Sequence, residues 1–488
     1  MMEYKMVEQF EYKGVWFLPT AKSNRVSGTL YYNADEGITL ELSGDFNEID
    51  LITIDSKEYD IILGLTSDSK EITLYKSFLK SKDGMRIVIN QEIGTPSTSY
   101  YVQYALEGIH IDRPEDIKFD MLESGFINLD EWIGITGFDF DAGREIERRK
   151  NNEYQINYRI PEPITFQLSN DLEGQFNFCM KDSGRSFYQK TVTIEQKVLF
   201  VMKYKEERTL DIILDDLFKF QRFLVLALYG KTMPKNIQIY NENYKKDYGN
   251  NIFIPKKIKL FSRFRTCNTP QKMFMDMLFC YKEIKDIFPE IIKNWFDKYK
   301  DFKSAINLLV NQFYIDVFAE SDFLNLAQAV ESFHAHTERN RPQIPKVDYD
   351  AMKEHILNVV DETYHKWLKG QFDIGNYLTL HTRLEDLFSF WSCEALDKII
   401  GDKDVFIRQV KNSRNYYTHY FSGLKKNALT GWDLFDLTQR LKLVLTCAFL
   451  IEVGIDKAIL DKLFNNRWHK FSCLIPKKNP SSTASESK

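Results

Sequence analysis

The chain has 488 residues, 43% hydrophobic and 28% charged, with 65 Lys+Arg against 70 Asp+Glu for a formal charge of −5. That composition can fill the cores of several domains and excludes wholesale disorder. The balanced charge excludes a binder that holds nucleic acid by bulk positive charge, so any polyanion site is a local patch.

The longest apolar runs, Leu443–Ile451 and Phe223–Tyr229, fall short of the ~20 residues a bilayer span requires, so no membrane contact is expected. The first residues scatter charges and aromatics where a secretory leader needs an unbroken apolar run. Cys179, Cys267, Cys280, Cys393, Cys447 and Cys473 show no CxxC spacing. They read as reduced thiols of a cytoplasmic protein, not as a disulfide frame or zinc ribbon.

Of the 22 glycines, 16 lie before residue 270, where short period-two runs recur between turn signals. The predicted strands are Leu30–Asn33 and Ile38–Leu42 around the turn Asp35-Glu36-Gly37, then Ile52–Asp55, Tyr59–Leu63, Arg86–Ile89, Tyr100–Tyr104, Tyr154–Tyr158, Ile164–Leu168 and Val192–Met202. So many of them predict a sandwich or barrel-like domain. One helix interrupts, Leu210–Tyr229, with Thr209 as its N-cap and Gly230 past its end. Asn236–Tyr240 and Ile252–Leu260 are further strands.

Beyond Pro270 the apolar spacing shifts to three and four, and no proline occurs between Val347 and Ile475. This predicts helix after helix: Gln271–Ile287, Glu290–Tyr299, Phe302–Phe318, Asp322–Arg339, Tyr349–Lys369, Tyr377–Ile400, Asp402–Phe421 and Trp432–Val453. Thr430-Gly-Trp-Asp433 opens the last with a capping-box pattern. The expected fold class is α+β multidomain. A β-rich, sandwich-like N-terminal domain (1–269) precedes an all-α helical-bundle domain (270–475), with a disordered tail at 476–488.

Several chemistries lack their residues. His334 and His336 are two apart and point about 200° from one another on a helix, so they cannot share a metal. His355 and His365 have no carboxylate or cysteine at ligand spacing. No GxGxxG, GxxxxGK[ST] or GxSxG is present, so dinucleotide, P-loop and α/β-hydrolase readings have no support. Neither metal nor cofactor is expected.

The informative segment is Asp402–Gly423. On a helix Phe406, Val410, Arg414, Tyr417 and Phe421 form one stripe, and Arg408, Asn412, Asn415, His419 and Ser422 a second, polar one. Arg414 thus falls inside an apolar seam, where a guanidinium needs a carboxylate, a partner chain or a phosphate to offset its burial. Asn415 and His419 are i,i+4 neighbours. Arg and His five apart suit cleavage of RNA by its own 2′-OH. That reaction needs a proton acceptor, a proton donor and a cation for the charge on the phosphoryl oxygens. One histidine hardly performs both proton transfers, so a two-fold dimer would supply two. In a chain with 19 arginines and 8 histidines the bare spacing is expected about once by chance. Its context of helix, seam, Asn415 and tyrosines is what singles it out, against the alternative that both are ordinary surface or core-capping residues.

Arg414-Asn415-Tyr-Tyr-Thr-His419-Tyr420 resembles the R-x4–6-H motif of HEPN domains in its RN-xxx-H form. Phe323-Leu-Asn-Leu-Ala-Gln-Ala-Val-Glu331-Ser-Phe-His334 resembles the first core helix of the ApeA-type HEPN subgroup. The front half, including Ile61-Ile-Leu-Gly64-Leu-Thr66 and Ile72-Thr-Leu-Tyr75, is similar to the β-rich domain that precedes it in ApeA proteins. The resemblance implies an antiphage defence protein acting by abortive infection, a metal-independent HEPN endoribonuclease that works as a homodimer. The front domain would sense a phage-derived trigger or gate the nuclease. His419 would be the catalytic acid/base, Arg414 the phosphate-stabilising cation, and Asn415 the residue that orients either. Glu331 is the candidate acidic partner of Arg414.

Around the motif Arg408, Lys411, Lys425 and Lys426 read either as guides for an RNA backbone, tRNA among the candidates, or as a solvated face. Tyr416 and Tyr420 are candidates for stacking on bases, whereas Tyr417 lies on the seam. Two other readings stay open. In one, a non-catalytic HEPN module dimerises or binds RNA. In the other, the β-rich domain is the working part, a ligand or phage-protein sensor.

Overall fold

The computed structural model describes residues 9–46, 58–83, 97–139, 156–182, 188, 190–247, 249, 253–264, 269–315 and 317–476. The predicted strands Ile52–Asp55 and Arg86–Ile89, residues 154–155, Ile252, Cys267 and the predicted tail after Pro476 lie outside the described residues. Two compact units are present. One comprises Met1–Leu224, Lys231–Phe274 and Cys280–Lys285, the other Val225–Gly230, Met275–Phe279 and Asp286–Lys488.

The first unit is built on antiparallel strands. Of the sandwich-like and barrel-like forms that the alternation allows, the first six strands take the closed barrel: β1 Gln9–Phe17, β2 Val26–Asn33, β3 Gly37–Leu42, β4 Glu58–Thr66, β5 Glu71–Asp83 and β6 Ser97–Glu107. Their order is β6-β3-β2-β1-β4-β5, and β5 pairs back onto β6. Closure removes the unpaired edges an open sheet would expose. Trp16, Leu30, Leu40, Ile62, Leu74 and Tyr100 fill the interior. Gly64 is needed there because a Cβ would lie 2.2 Å from the Trp16 ring. The Asp35-Glu36-Gly37 turn has Gly37 at φ +95°, where a side chain would be strained, and Asn33 Oδ1 accepts the Asp35 N–H at 2.9 Å.

The sheet continues from β6 through further strands: β7 Lys118–Phe126, β10 Ile164–Gln167, β11 Leu172–Asp182, β12 Ile194–Thr209, β13 Pro234–Tyr240 and β16 Ile258–Ser262. The continuation runs β16-β13-β7-β12-β11-β10. Small pairs β8 Phe138–Asp139 with β9 Asn157–Tyr158, and β14 Lys245–Asp247 with β15 Phe253–Pro255, complete the strands among the described residues. A short helix α1, Leu129–Ile133, and the long α2, Leu210–Leu228, cover this sheet. Phe220 of α2 stacks on Phe200 with centroids 3.8 Å apart, and Trp132 of α1 meets Phe176 at 6.0 Å. Thr209 ends β12 directly before Leu210, at the expected cap position of α2, whereas Tyr229, not Gly230, takes the left-handed conformation at the end of α2 (φ 46°).

The second unit is helical. After the one-turn α3 (Tyr281–Ile284, in the first unit) come α4 Phe288–Asn311, α5 Ala319–Ala335, α6 Lys346–Val359, α7 His365–Gly375, α8 Leu380–Phe390, α9 Glu394–Ile400, α10 Lys403–His419, α11 Ser422–Lys425, α12 Gly431–Glu452, α13 Lys457–Asn466 and α14 Trp468–Phe471. α12 is buried nearly all round from Leu437 to Leu450, as a central bundle helix should be. Phe302 (α4), Phe333 (α5) and Phe449 (α12) meet with centroids 4.8–5.9 Å apart.

The helix boundaries differ from expectation in five places. The two predicted helices 290–299 and 302–318 run together as one α4 that stops at Asn311, short of the expected end, since no breaker separates them. Tyr349–Lys369 divides at Val360–Tyr364, where the Asp361 side chain accepts the Thr363 N–H. Tyr377–Ile400 divides at Trp391–Cys393. Gln271–Ile287 is mostly irregular because Leu278 and Phe279 bond the Ala227 carbonyl instead of their own helical partners. Thr430 makes no side-chain cap bond at α12.

Candidate active site

α10 begins at a true cap: Asp402 Oδ1 accepts the Val405 N–H at 3.0 Å. It buries Phe406, Ile407, Val410, Ser413 and Tyr417, and the Phe406 ring lies 5.7 Å from Phe388 of α8. Tyr420 ends the helix in the left-handed conformation, φ 52°, its N–H bonded to the Tyr416 carbonyl. That reversal directly follows His419, the last helical residue. The returning chain is then tied back to α10. The Leu429 N–H donates to Ser413 Oγ at 3.1 Å, and the Tyr417 hydroxyl donates to the Leu429 carbonyl at 2.9 Å.

This geometry corrects the expected seam. Phe406, Val410 and Tyr417 are buried, but Arg414 sits at the seam's margin with 33% of its side chain exposed. Phe421 lies beyond the helix and is 65% exposed, because the turn at Tyr420 carries it away from the stripe. Arg414 Nη2 donates toward Glu331 of α5, 3.2 Å from one carboxylate oxygen and 3.5 Å from the other. The site's cation is thus held by a charge-assisted bond and still reaches solvent.

His419 is exposed, its ring stacked on Phe421 at 5.6 Å with 13° between planes. Asn415 is half-buried one turn before it. Arg408 and Lys411 are exposed on α10, and helical spacing lines them up with Asn415 and His419 along one face. Lys425, in α11, and Lys426, its C-cap, are exposed as well. Tyr416 and Tyr420 have centroids 5.5 Å apart, with Tyr420 62% exposed. Tyr417 lies in the core against Phe323.

A second polar cluster adjoins this one and escaped the sequence reading. One turn after Glu331, His334 is fully buried. Its Nε2 is 2.7 Å from Asp386 Oδ2 and its Nδ1 3.0 Å from Arg383 Nη1, both partners on α8. Burial depresses the His334 pKa, opposed by the bond to Asp386. Arginine has only donors, so Nδ1 must accept and Nε2–H must donate to Asp386. Both bonds are satisfied by one tautomer of a neutral imidazole. Burial lowers the Arg383 pKa from its ordinary value, and the fields of Glu331 and then Asp386 oppose it. The signal was available: His334 continues the buried row Ala327–Val330 of α5, a polar residue in an apolar seam.

Residues 11–295, more than half of the chain, match the family model of ApeA N-terminal domain 1, and residues 324–459 match that of Apea-like HEPN. The chain belongs to the ApeA family. No curated protein and no solved structure matches it. HEPN domains are generally of ribonuclease type and commonly bind RNA and dimerise. In this ApeA-family chain the HEPN match contains Glu331, His334, Arg383, Asp386, Arg414, Asn415 and His419. Among the described residues no helix is long and apolar enough to cross a membrane.

Proposed function

We propose that this ApeA-family chain is an antiphage endoribonuclease that acts by abortive infection and cleaves RNA without a metal. The observation that carries the reading is the pairing of a half-exposed guanidinium, held by Glu331, with an exposed imidazole five residues on at the end of the same helix. In the reaction the 2′-oxygen attacks the adjacent phosphorus as a base takes its proton. The O2′–P bond forms, the P–O5′ bond breaks, and an acid protonates the departing 5′-oxygen. The products are a 2′,3′-cyclic phosphate and a 5′-hydroxyl. His419 carries protons, Arg414 takes the charge that develops on the phosphoryl oxygens, and Asn415 orients one of them. Arg408, Lys411, Lys425 and Lys426 guide the backbone, and Tyr416 and Tyr420 stack on bases.

On α10 Arg414 and His419 are about 140° apart, and Arg414 is turned toward α5. Two copies related by a two-fold axis would place the imidazole of one beside the guanidinium of the other. The exposed aromatics Tyr420, Phe421, Trp432 and Phe435 favour such an interface. The β-rich domain serves as the sensor of a phage-derived trigger.

The test is cleavage of total tRNA and mRNA by the purified chain in EDTA, with and without phage extract, alongside His419→Ala and Arg414→Ala. The expected result is 2′,3′-cyclic ends from the wild type and losses of ~10²–10³-fold in both variants. His419→Ala should keep its melting temperature, since its side chain is exposed. RNA left intact by the wild type in every condition would replace this reading with a non-catalytic, RNA-binding HEPN module.

A further inference from the structure

Within that nuclease reading, on which this inference rests, Arg414 alone makes a poor phosphate site. Its charge is offset by Glu331, so the pair has no net attraction for a phosphodiester. A second guanidinium changes the balance. Arg383, on α8, is half-buried, with Nη1 on His334 Nδ1 at 3.0 Å and Nε on the Leu378 carbonyl at 3.3 Å. Glu331 and His334 stand one turn apart on α5, so a guanidinium bonded to His334 lies within the field of Glu331. The other charge near it is Asp386, which is bonded to the far nitrogen of the buried imidazole ring. Arg383 and Arg414 with Glu331 carry one net positive charge, and the charge of Asp386, which also acts on Arg383, is engaged by the His334 Nε2–H.

We propose that Arg383 is a second RNA-phosphate-binding residue of the Arg414–Glu331 site, and that neutral His334, anchored by Asp386, is the positioning residue that aims its fork. Two guanidiniums in the field of one carboxylate take the phosphate, and the carboxylate offsets their mutual repulsion when no RNA is bound. His334 must stay neutral for this, because a protonated ring has no lone pair to accept from Arg383.

The experiment uses full-length His419→Ala protein, which leaves bound RNA uncut, and a fluorescently labelled single-stranded RNA oligonucleotide titrated at several salt concentrations. Adding Arg383→Gln should weaken binding about tenfold and reduce the slope of log affinity against log salt by about 0.7, the loss of one phosphate contact on a single strand. Arg383→Lys should keep the slope. His334→Phe should reproduce the loss seen with Arg383→Gln, and His334→Gln, which still donates and accepts, should restore part of the affinity. A slope unchanged by Arg383→Gln, or lost equally in Arg383→Lys, overturns the proposal while leaving the nuclease reading standing. If the parent protein binds no RNA at any salt, the nuclease reading itself falls and this inference with it.

Discussion

Breaking the Arg414–Glu331 pair one side at a time separates its part in folding from its part in chemistry. One guanidinium nitrogen faces both carboxylate oxygens, at 3.2 and 3.5 Å, and the side chains keep 33% and 32% of their surface exposed. A sealed pair would cost ~3–5 kcal/mol when one partner is removed, whereas an exposed pair contributes ~0–1 kcal/mol. With one-third exposure and a single nitrogen in place of a fork-to-fork contact, solvent screening sets the coupling near the exposed limit, about 1 kcal/mol. The double-mutant cycle of Arg414→Met, Glu331→Gln and the combined variant, measured by urea denaturation, should return that value. It corresponds to a shift of about 2–4 °C in the melting of a helical unit of this size. RNA cleavage should behave differently. Arg414→Met should lose ~10²–10³-fold, while Glu331→Gln, which leaves the cation in place, should stay within about tenfold of wild type. A coupling above ~3 kcal/mol would show the pair to be a buried structural element. Wild-type cleavage by Arg414→Met would refute the role of the guanidinium at the phosphate.

Two further outcomes follow from other parts of the molecule. Asp130 of α1 is half-buried, its Oδ1 accepting the Val198 N–H at 2.6 Å, and desolvation pushes its pKa up to about 6 from 3.8. The folded state therefore binds this proton more tightly than the unfolded state. Its stabilising effect is present below pH ~4 and is lost as pH rises through about 6, up to about 3 kcal/mol in all. Asp130→Asn, which still accepts from Val198, should raise the calorimetric melting temperature at pH 7–8 and flatten its decline between pH 5 and 7; a lower melting temperature at pH 7.5 would contradict this. Tyr417→Phe removes the bond to the Leu429 carbonyl, at a cost of about 1 kcal/mol. Amide exchange in residues 420–430 should speed up, and unchanged protection there would mean that Ser413 alone secures the returning chain.

The two halves of the fold were legible to different depths. Alternation was enough for β-rich and helical regions, because a half-buried strand and an amphipathic helix each impose a period on their own sequence. Leu30–Asn33 and Ile38–Leu42 could be seen because a glycine turn separates them. Strand order could not be seen, since the barrel needs β1 to pair with β4 and β3 with β6, pairings between residues distant in sequence with no local mark. Long strands such as β7 and β11 were missed, and Gly125 and Gly174 dilute the alternation in each. Helix breaks were the weakest point. At Val360–Tyr364 the interruption is made by an Asp361 cap, and at Trp391–Cys393 by residues whose side chains are buried, neither of which carries Gly or Pro.

The site shows why a helical wheel misplaces charge. Phe406, Val410, Arg414 and Tyr417 share a stripe in projection, and from that alone Arg414 belongs in the core. Burial, however, is decided by what lies opposite. Val410 and Tyr417 face apolar neighbours and are sealed, whereas Arg414 meets the half-exposed flank of α5 at Glu331 and remains at the margin. His334 shows the opposite error. Its spacing from His336 was tested only for metal binding, and a lone histidine suggests nothing in one dimension. Its role is set by α8, which presents Arg383 and Asp386 one turn apart, so that a donor reaches one ring nitrogen and an acceptor the other. A polar residue inside an apolar row is therefore a sign that a second helix must satisfy it. The row tells that such a partner exists, and only the packing of α5 against α8 and α10 tells which residues they are.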